Sequence, residues 1–366
     1  MKQKKALLIG PVPPPIGGDT VLTANVLASR FWDERDIELS HIDTSPRAGV
    51  RLPDEHLSFS DAVRGFRIVW RVLAHLGGTD IVLLWANSRF VYTVGLLIIV
   101  LTRITGKPII IKVFGAFLAK RVSELPALWR RLVVGLLGRV DYILPETGLL
   151  AGELQRELGL PAGRVVPLPN FLPDRSLIDD LEVRDYTGRC VFIGQVKREK
   201  GIFEIIDAVK ESTLHRCDLY GPILERDVAQ LEKRLAGVEN VTYRGLIDPD
   251  EVQAILRKYD ALLLPTFHVG EGYPAVILQA FAAGVPVIAS DWMSIPELVV
   301  HGVRGLLVPT HSPQELREAL DRFASDPELY REVARNAFEH VRSFSERAVV
   351  RDVLIAKVME LCGAGV

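Results

Sequence analysis

Short, uninterrupted apolar runs alternate along the chain with longer stretches in which apolar residues return every three or four positions. Ala6–Ile9, Ile81–Trp85, Ile109–Val113 and Tyr142–Pro145 are runs of the first kind, and Thr20–Phe31 and Asp61–Leu76 are stretches of the second. A strand without polar alternation is buried on both faces, as in a parallel sheet covered by helices. Val91–Leu101, apolar and bounded by Arg89 and Arg103, is too short to cross a bilayer and is expected as a buried core helix.

A proline-rich break, Val165-Val-Pro-Leu-Pro-Asn-Phe-Leu-Pro173, interrupts this alternation. Beyond it the pattern restarts, with strands expected at Cys190–Ile193, Asp218–Tyr220, Val241–Tyr243, Ala261–Leu264, Val285–Ala289 and Gly305–Val308. Pro327–Leu361 is helical throughout. The expectation is an α/β protein with two doubly wound Rossmann-like domains. Their bounds are 1–170 and 171–340, and 341–366 is a C-terminal helix returning toward the first domain. Ligands of such sheets bind outside the carboxyl ends of the strands, so the loops there are where chemistry is sought.

Composition narrows the classes. A chain of 366 residues exceeds what one core usually supports, and 48% hydrophobic with 25% charged residues is ordinary for a globular protein. A formal charge of −2 lacks the basic excess of a nucleic-acid binder. Cys190, Cys217 and Cys362 are scattered without ligand spacing and read as reduced thiols. The basic start at Met1 leads into an apolar run too short for a signal peptide, so the cytoplasm is expected.

The sharpest chemical signal is Leu264-Pro-Thr-Phe-His-Val-Gly-Glu271-Gly-Tyr-Pro-Ala-Val-Ile-Leu-Gln279-Ala-Phe-Ala-Ala-Gly284. A strand ends near Pro265, a glycine-bearing loop follows, and a helix opens with Pro274 at its first position and closes at Gly284. A helix start offers unpaired N–H groups and partial positive charge to a phosphate or a sugar hydroxyl. Gly272 lets a ligand approach the backbone, and Glu271 can accept hydrogen bonds from sugar hydroxyls. A plain helix-start carboxylate and a solvated glutamine fit the same residues.

This segment resembles that of GT-B fold retaining glycosyltransferases of family 4, and the likeness runs over nearly the whole chain. The resemblance implies two Rossmann-like domains facing each other across a cleft. That family carries a Glu-x7-Glu motif: Glu271 matches the first glutamate, which looks toward the donor sugar. Gln279 stands where a second glutamate usually contacts the nucleotide ribose. Glutamine keeps an acceptor oxygen but loses the charge. In Val191-Phe-Ile-Gly194-Gln-Val-Lys-Arg-Glu-Lys200-Gly201, Lys200 and Gly201 match the family's diphosphate clamp, while Gln195 replaces its arginine. Lys197 or Arg198 are candidates to compensate, and a charged turn with no ligand is the alternative. Gly17 and Gly18, between the first strand and first helix, resemble the family's first loop. Phe114, in Phe114-Gly115, stands where members often carry a histidine. No histidine is therefore assigned to catalysis, and His268 is expected to face solvent.

The resemblance thus implies a retaining transfer from an NDP-sugar, UDP- or GDP-linked, to a saccharide or lipid-linked saccharide in polysaccharide assembly. Glu271 and Lys200 are the catalytic candidates. Gly17, Gly18, Gly194, Gln195, Lys200, Glu271, Gly272, Tyr273, Pro274 and Gln279 are the donor-binding ones. The donor is a substrate, and neither cofactor nor metal is expected. The stretch 112–139 carries Lys112, Lys120, Arg121, Arg130, Arg131 and Arg139 with Phe117, Leu118, Leu125, Leu128 and Trp129 interleaved. It suits peripheral contact with the inner face of an anionic membrane, or else a solvated helix face. A sugar-nucleotide epimerase of the same architecture and a binding protein without turnover remain alternatives. A nicotinamide oxidoreductase does not fit, because no dinucleotide fingerprint follows any strand.

Overall fold

The computed structural model describes residues 3–15, 17–45, 59–181 and 183–363. The chain divides into two compact units, Met1–Asn170 with Glu346–Val366, and Phe171–Ser345.

The first unit is built on five parallel strands: β1 (Lys4–Gly10), β2 (Ile37–Asp43), β3 (Ile81–Asn87), β4 (Ile109–Phe114) and β5 (Tyr142–Leu144). Their order is β2-β1-β3-β4-β5, all pairs parallel. β3 and β4 are buried almost throughout, as the unbroken apolar runs require. β2 lies at the sheet edge with only Ile37 and Ile42 buried, and its sequence is mixed apolar and polar, not an apolar run. The chain steps in one direction from β2 through β3 and β4 to β5. Right-handed crossovers therefore place the helices Phe59–Leu76, Val94–Ile104 and Ala127–Leu137 on one face of the sheet. The middle one packs against both neighbours.

The segment after Glu346 belongs to this first unit. Tyr142 Oη donates to Glu360 Oε1 at 2.5 Å, and Lys4 Nζ donates to the Cys362 carbonyl at 2.9 Å.

The second unit holds six parallel strands: β6 (Arg189–Ile193), β7 (Arg216–Tyr220), β8 (Val241–Gly245), β9 (Ala261–Leu264), β10 (Val287–Ser290) and β11 (Leu306–Val308). Their order is β11-β10-β9-β6-β7-β8. From β6 the chain builds outward to β8, then returns to the far side of β6 with β9 and builds outward to β11. Neighbours β6 and β9 therefore flank the switch point of the topology, with Cys190 opposite Ala261. Each unit encloses its own apolar core.

Val94–Ile104 departs from the expectation of a buried helix. Leu96, Ile98 and Ile99 are buried, but Leu97 is 56% and Ile104 77% exposed. Among the described residues, no helix is long and apolar enough to cross a membrane.

Candidate active site

Loops leaving the two strands at a switch point diverge to opposite sides of the sheet and leave a crevice between them. In the second unit these are the loops after β6 and β9, and they carry Lys200 and Glu271. After β6 the chain passes Gly194 and Gln195 and tightens into a short 3₁₀ turn, Arg198–Lys200. It then reverses at Gly201, where φ is 79° and an added Cβ would collide with the Pro265 carbonyl. Only glycine satisfies both demands. The Phe267 N–H donates to the Glu199 carbonyl at 2.9 Å, tying the loop after β9 to this turn.

Lys200 Nζ donates to both carboxylate oxygens of Glu271, at 2.6 Å to Oε2 and 2.9 Å to Oε1. The buried Thr266 hydroxyl donates to the same Oε2 at 2.8 Å. Glu271 is 6% exposed, so its charge is held by these donors and not by bulk water. Lys197 Nζ lies 3.5 Å from His268 Nδ1. Burial, and secondarily the charges of Lys197 and Lys200, push the His268 imidazole down to about 4, so it is neutral at pH 7. Burial, then the Lys200 charge, also lowers Lys197. His268 does not face solvent as expected. It is half-buried, and its carbonyl accepts from the Glu271 N–H at 3.0 Å and from Trp292 Nε1 at 3.0 Å.

Gly272, Tyr273 and Pro274 are buried behind Glu271. The helix is Ala275–Ala282, so Pro274 is its N-cap and not its first residue: ψ is 108°, still extended. The Tyr273 ring packs on Phe344 with centroids 5.8 Å apart. Gln279, two turns into the helix, is half-buried, and its carbonyl accepts from Gln253 Nε2 at 3.4 Å.

Gly17 and Gly18 belong to the first unit, at the end of β1, whose flanking strands β2 and β3 mark that sheet's own switch point. The Gly17 N–H donates to Thr20 Oγ1 at 2.9 Å, and the next helix begins at Gly18. An added Cβ at Gly18 meets no atom within 4 Å. The chain's own packing therefore gives no reason for that glycine.

The first unit also holds a buried charge network that sequence reasoning missed. Lys112 lies in β4 with no exposed surface, so it is not part of a surface stretch 112–139 as expected. Its ammonium donates to the Leu168 carbonyl. Glu146, just beyond β5, accepts from the Gly115 N–H at 3.0 Å and interacts with Lys112 and with the Asn170 side chain. Burial raises the Glu146 carboxyl, against the pull of Lys112, and burial lowers Lys112 to about 8. Asp19, beside Gly18, is also raised by burial. A lysine inside an otherwise apolar run was the available signal. Thr266 carried none, because a threonine after a strand is ordinary. Phe114 is 7% exposed, with Lys112 Nζ 5.9 Å from its ring centre.

No group of three His, Cys, Asp or Glu among the described residues could hold a metal ion. Asp248-Pro-Asp250 has an Asp-x-Asp spacing, but Asp248 Oδ1 caps its own turn by accepting from the Asp250 N–H at 2.9 Å.

Known proteins place this geometry. The family described as Glycosyl transferases group 1 matches residues 178–340, which contain both loops at the second switch point. Residues 178–340, nearly all of the second unit, are therefore similar to group 1 glycosyl transferases. An alpha-D-kanosaminyltransferase of Streptomyces kanamyceticus is 25% identical over 260 residues, 65% of this chain and 66% of that protein. An exopolysaccharide phosphotransferase of Streptomyces coelicolor is 41% identical over 222 residues, 58% of this chain but 22% of that protein. The chain thus spans less than two thirds of either relative. HepE of Anabaena, solved in complex with UDP, is 15% identical, with a TM-score of 0.74 over 98% of this chain and 99% of its own. That likeness establishes the fold as GT-B. Within the matched region, Gly194, Gln195, Lys200, Glu271, Gly272, Tyr273, Pro274 and Gln279 all lie in or directly behind the loops after β6 and β9.

Proposed function

We propose that the chain is a glycosyltransferase in polysaccharide or glycoconjugate assembly. It moves a sugar from a UDP- or GDP-linked donor to a saccharide or lipid-linked saccharide on the cytoplasmic side of the membrane, with retention of configuration and without a metal. One observation carries this reading: the Lys200–Glu271 pair at the switch point of the group 1 domain. The UDP bound by HepE and the exopolysaccharide name of the Streptomyces coelicolor relative support it.

On this reading the bond between the sugar's anomeric carbon and the diphosphate breaks, and its electron pair leaves on phosphate oxygen. Lys200, with Lys197 beside it, stabilises the charge that accumulates there. Glu271 accepts hydrogen bonds from sugar hydroxyls while fixing the Lys200 ammonium. The backbone of Gly272–Tyr273 and the helix start behind Pro274 hold the donor, and Gln279 faces the ribose. The acceptor oxygen then bonds to the anomeric carbon from the face the phosphate leaves, and its proton passes to that phosphate. His268, neutral near pH 7, adds no third cation.

Glu271→Ala is expected to lower transfer by at least about 10²-fold, the scale of losing a preorganised electrostatic group. The assay is product formation from a nucleotide-sugar panel with circular dichroism as the folding control, and full turnover by that variant sinks the assignment. The same donors incubated without acceptor distinguish an epimerase, which would convert them. Gln195, Gln279 and Phe114 favour a second reading, binding without turnover. Calorimetric binding with no product on any matched acceptor would select it.

A further inference from the structure

Nine of the fifteen large hydrophobic side chains exposed among the described residues lie on three adjacent helices of the first unit. In Phe59–Leu76 they are Val63, Phe66, Trp70 and Leu73, with Phe66 72% and Trp70 66% exposed. Their spacing of i, i+3, i+7 and i+10 makes one continuous stripe. The buried stripe of the same helix, Gly65, Ile68, Val72 and Leu76, lies on the other side. The helix thus has two apolar stripes, and the fold uses only one. Val94–Ile104 adds Leu97 and Ile104, and Ala127–Leu137 adds Leu128, Trp129 and Leu132.

Charge on these helices is equally one-sided. They carry six arginines (Arg64, Arg67, Arg71, Arg103, Arg130 and Arg131) against one acid, Asp61, in a chain whose formal charge is −2. Asp61 is paired with Arg64 at 2.9 Å, and Arg103 with Asp141 at 2.8 Å. Arg67, Arg71, Arg130 and Arg131 are exposed beside the apolar stripes.

We propose that this three-helix face is a docking surface for an anionic lipid bilayer, with Phe66, Trp70, Leu128 and Trp129 as its apolar anchors. Exposed aromatic rings flanked by arginines match the chemistry of the headgroup boundary, where rings enter the acyl edge and guanidinium groups meet lipid phosphates. The arginines decide against a second copy, because a self-complementary interface would lay cations on cations. Breadth decides against a peptide, because the apolar positions spread over a layer of three helices. The surface deepens the acceptor half of the proposed function and rests on that reading for its purpose, since a lipid-linked acceptor must be met at the membrane.

The test is co-sedimentation of the full chain with vesicles of phosphatidylcholine alone or mixed with phosphatidylglycerol. Binding is expected only to the anionic vesicles and is expected to weaken at about 0.5 M salt. Phe66→Ser with Trp70→Ser, and separately Arg67→Glu with Arg71→Glu, should each weaken it by about tenfold or more. Melting temperature and donor binding should stay unchanged in both variants. Equal binding to neutral vesicles, or anionic binding that survives both double variants, overturns the proposal. So does a dimer that Trp70→Ser dissolves in the absence of vesicle binding. Vesicle binding by a chain that transfers no sugar would overturn the enzymatic reading and leave this one standing.

Discussion

Three single residues show how local chemistry is enforced. Gly201 is required twice over, by its positive φ and by the Pro265 carbonyl, and it thereby seats Lys200 against Glu271. Glu271 and Lys200 were singled out in the sequence by the family resemblance and not by local pattern, and the fold brings the two side chains into contact. Their partner Thr266 was not singled out: a hydroxyl shows its role only when the buried acceptor lies at hydrogen-bond distance. Lys112 is the opposite case, conspicuous in its apolar run yet misplaced to the surface, because sequence alone does not reveal a buried anion from the loop after another strand. Glu146 supplies that anion. Lys112→Met should leave Glu146 buried without its cation and lower stability by about 3–5 kcal/mol, whereas adding Glu146→Gln should recover most of the loss. Urea unfolding midpoints of the two variants check this, and an unchanged midpoint for Lys112→Met refutes it.

At the scale of elements, buried strands were the most legible part of the fold. β3, β4, β6 and β9 are continuous apolar runs because both their faces are covered. β2 was missed for the same reason in reverse: an edge strand half in water mixes apolar and polar residues, and over seven residues its Ile-Glu-Leu-Ser-His-Ile-Asp sequence gives a weak signal. The stretch Val91–Leu101 was expected as a core helix, but it spans the end of one helix and the start of another, and composition does not say which of its apolar side chains find a neighbour. The loop after β9 carries a pH signature. His268 sits at about 4 in the folded chain against 6.5 ordinarily, so the unfolded chain binds more protons between those values. Stability should therefore fall as pH drops from about 6.5 toward 4. Melting curves across that range should show a shallower slope for His268→Asn, and identical slopes would refute the burial of the imidazole.

For the whole molecule, the proline-rich break, where one strand alternation ends and another starts, runs through the point at which the chain divides into two compact units. Each unit has its own core and its own switch point, so the candidate donor residues group by unit: Gly17 and Gly18 in one, the Lys200–Glu271 set in the other. Composition hid the asymmetry of the first unit. A near-neutral total conceals six arginines gathered on three helices, and only topology shows that those helices are neighbours.

The Lys200–Glu271 ion pair also bears on how fast a donor arrives. The ammonium that would attract a diphosphate is paired with a carboxylate at 2.6 Å, and Glu199 and Glu271 offset Lys197 and Lys200. From a distance such a group presents a short dipole, whose field decays faster than that of a bare cation. Under the proposed function, the lysine therefore acts on capture and not on approach. The association rate of a nucleotide-sugar, measured by stopped-flow, should change by less than about threefold between 0.05 and 0.5 M salt. Glu271→Gln, which unmasks the cation, should make that rate clearly salt-dependent. A steep salt dependence in the unaltered protein would mean that the pair is open when the donor arrives.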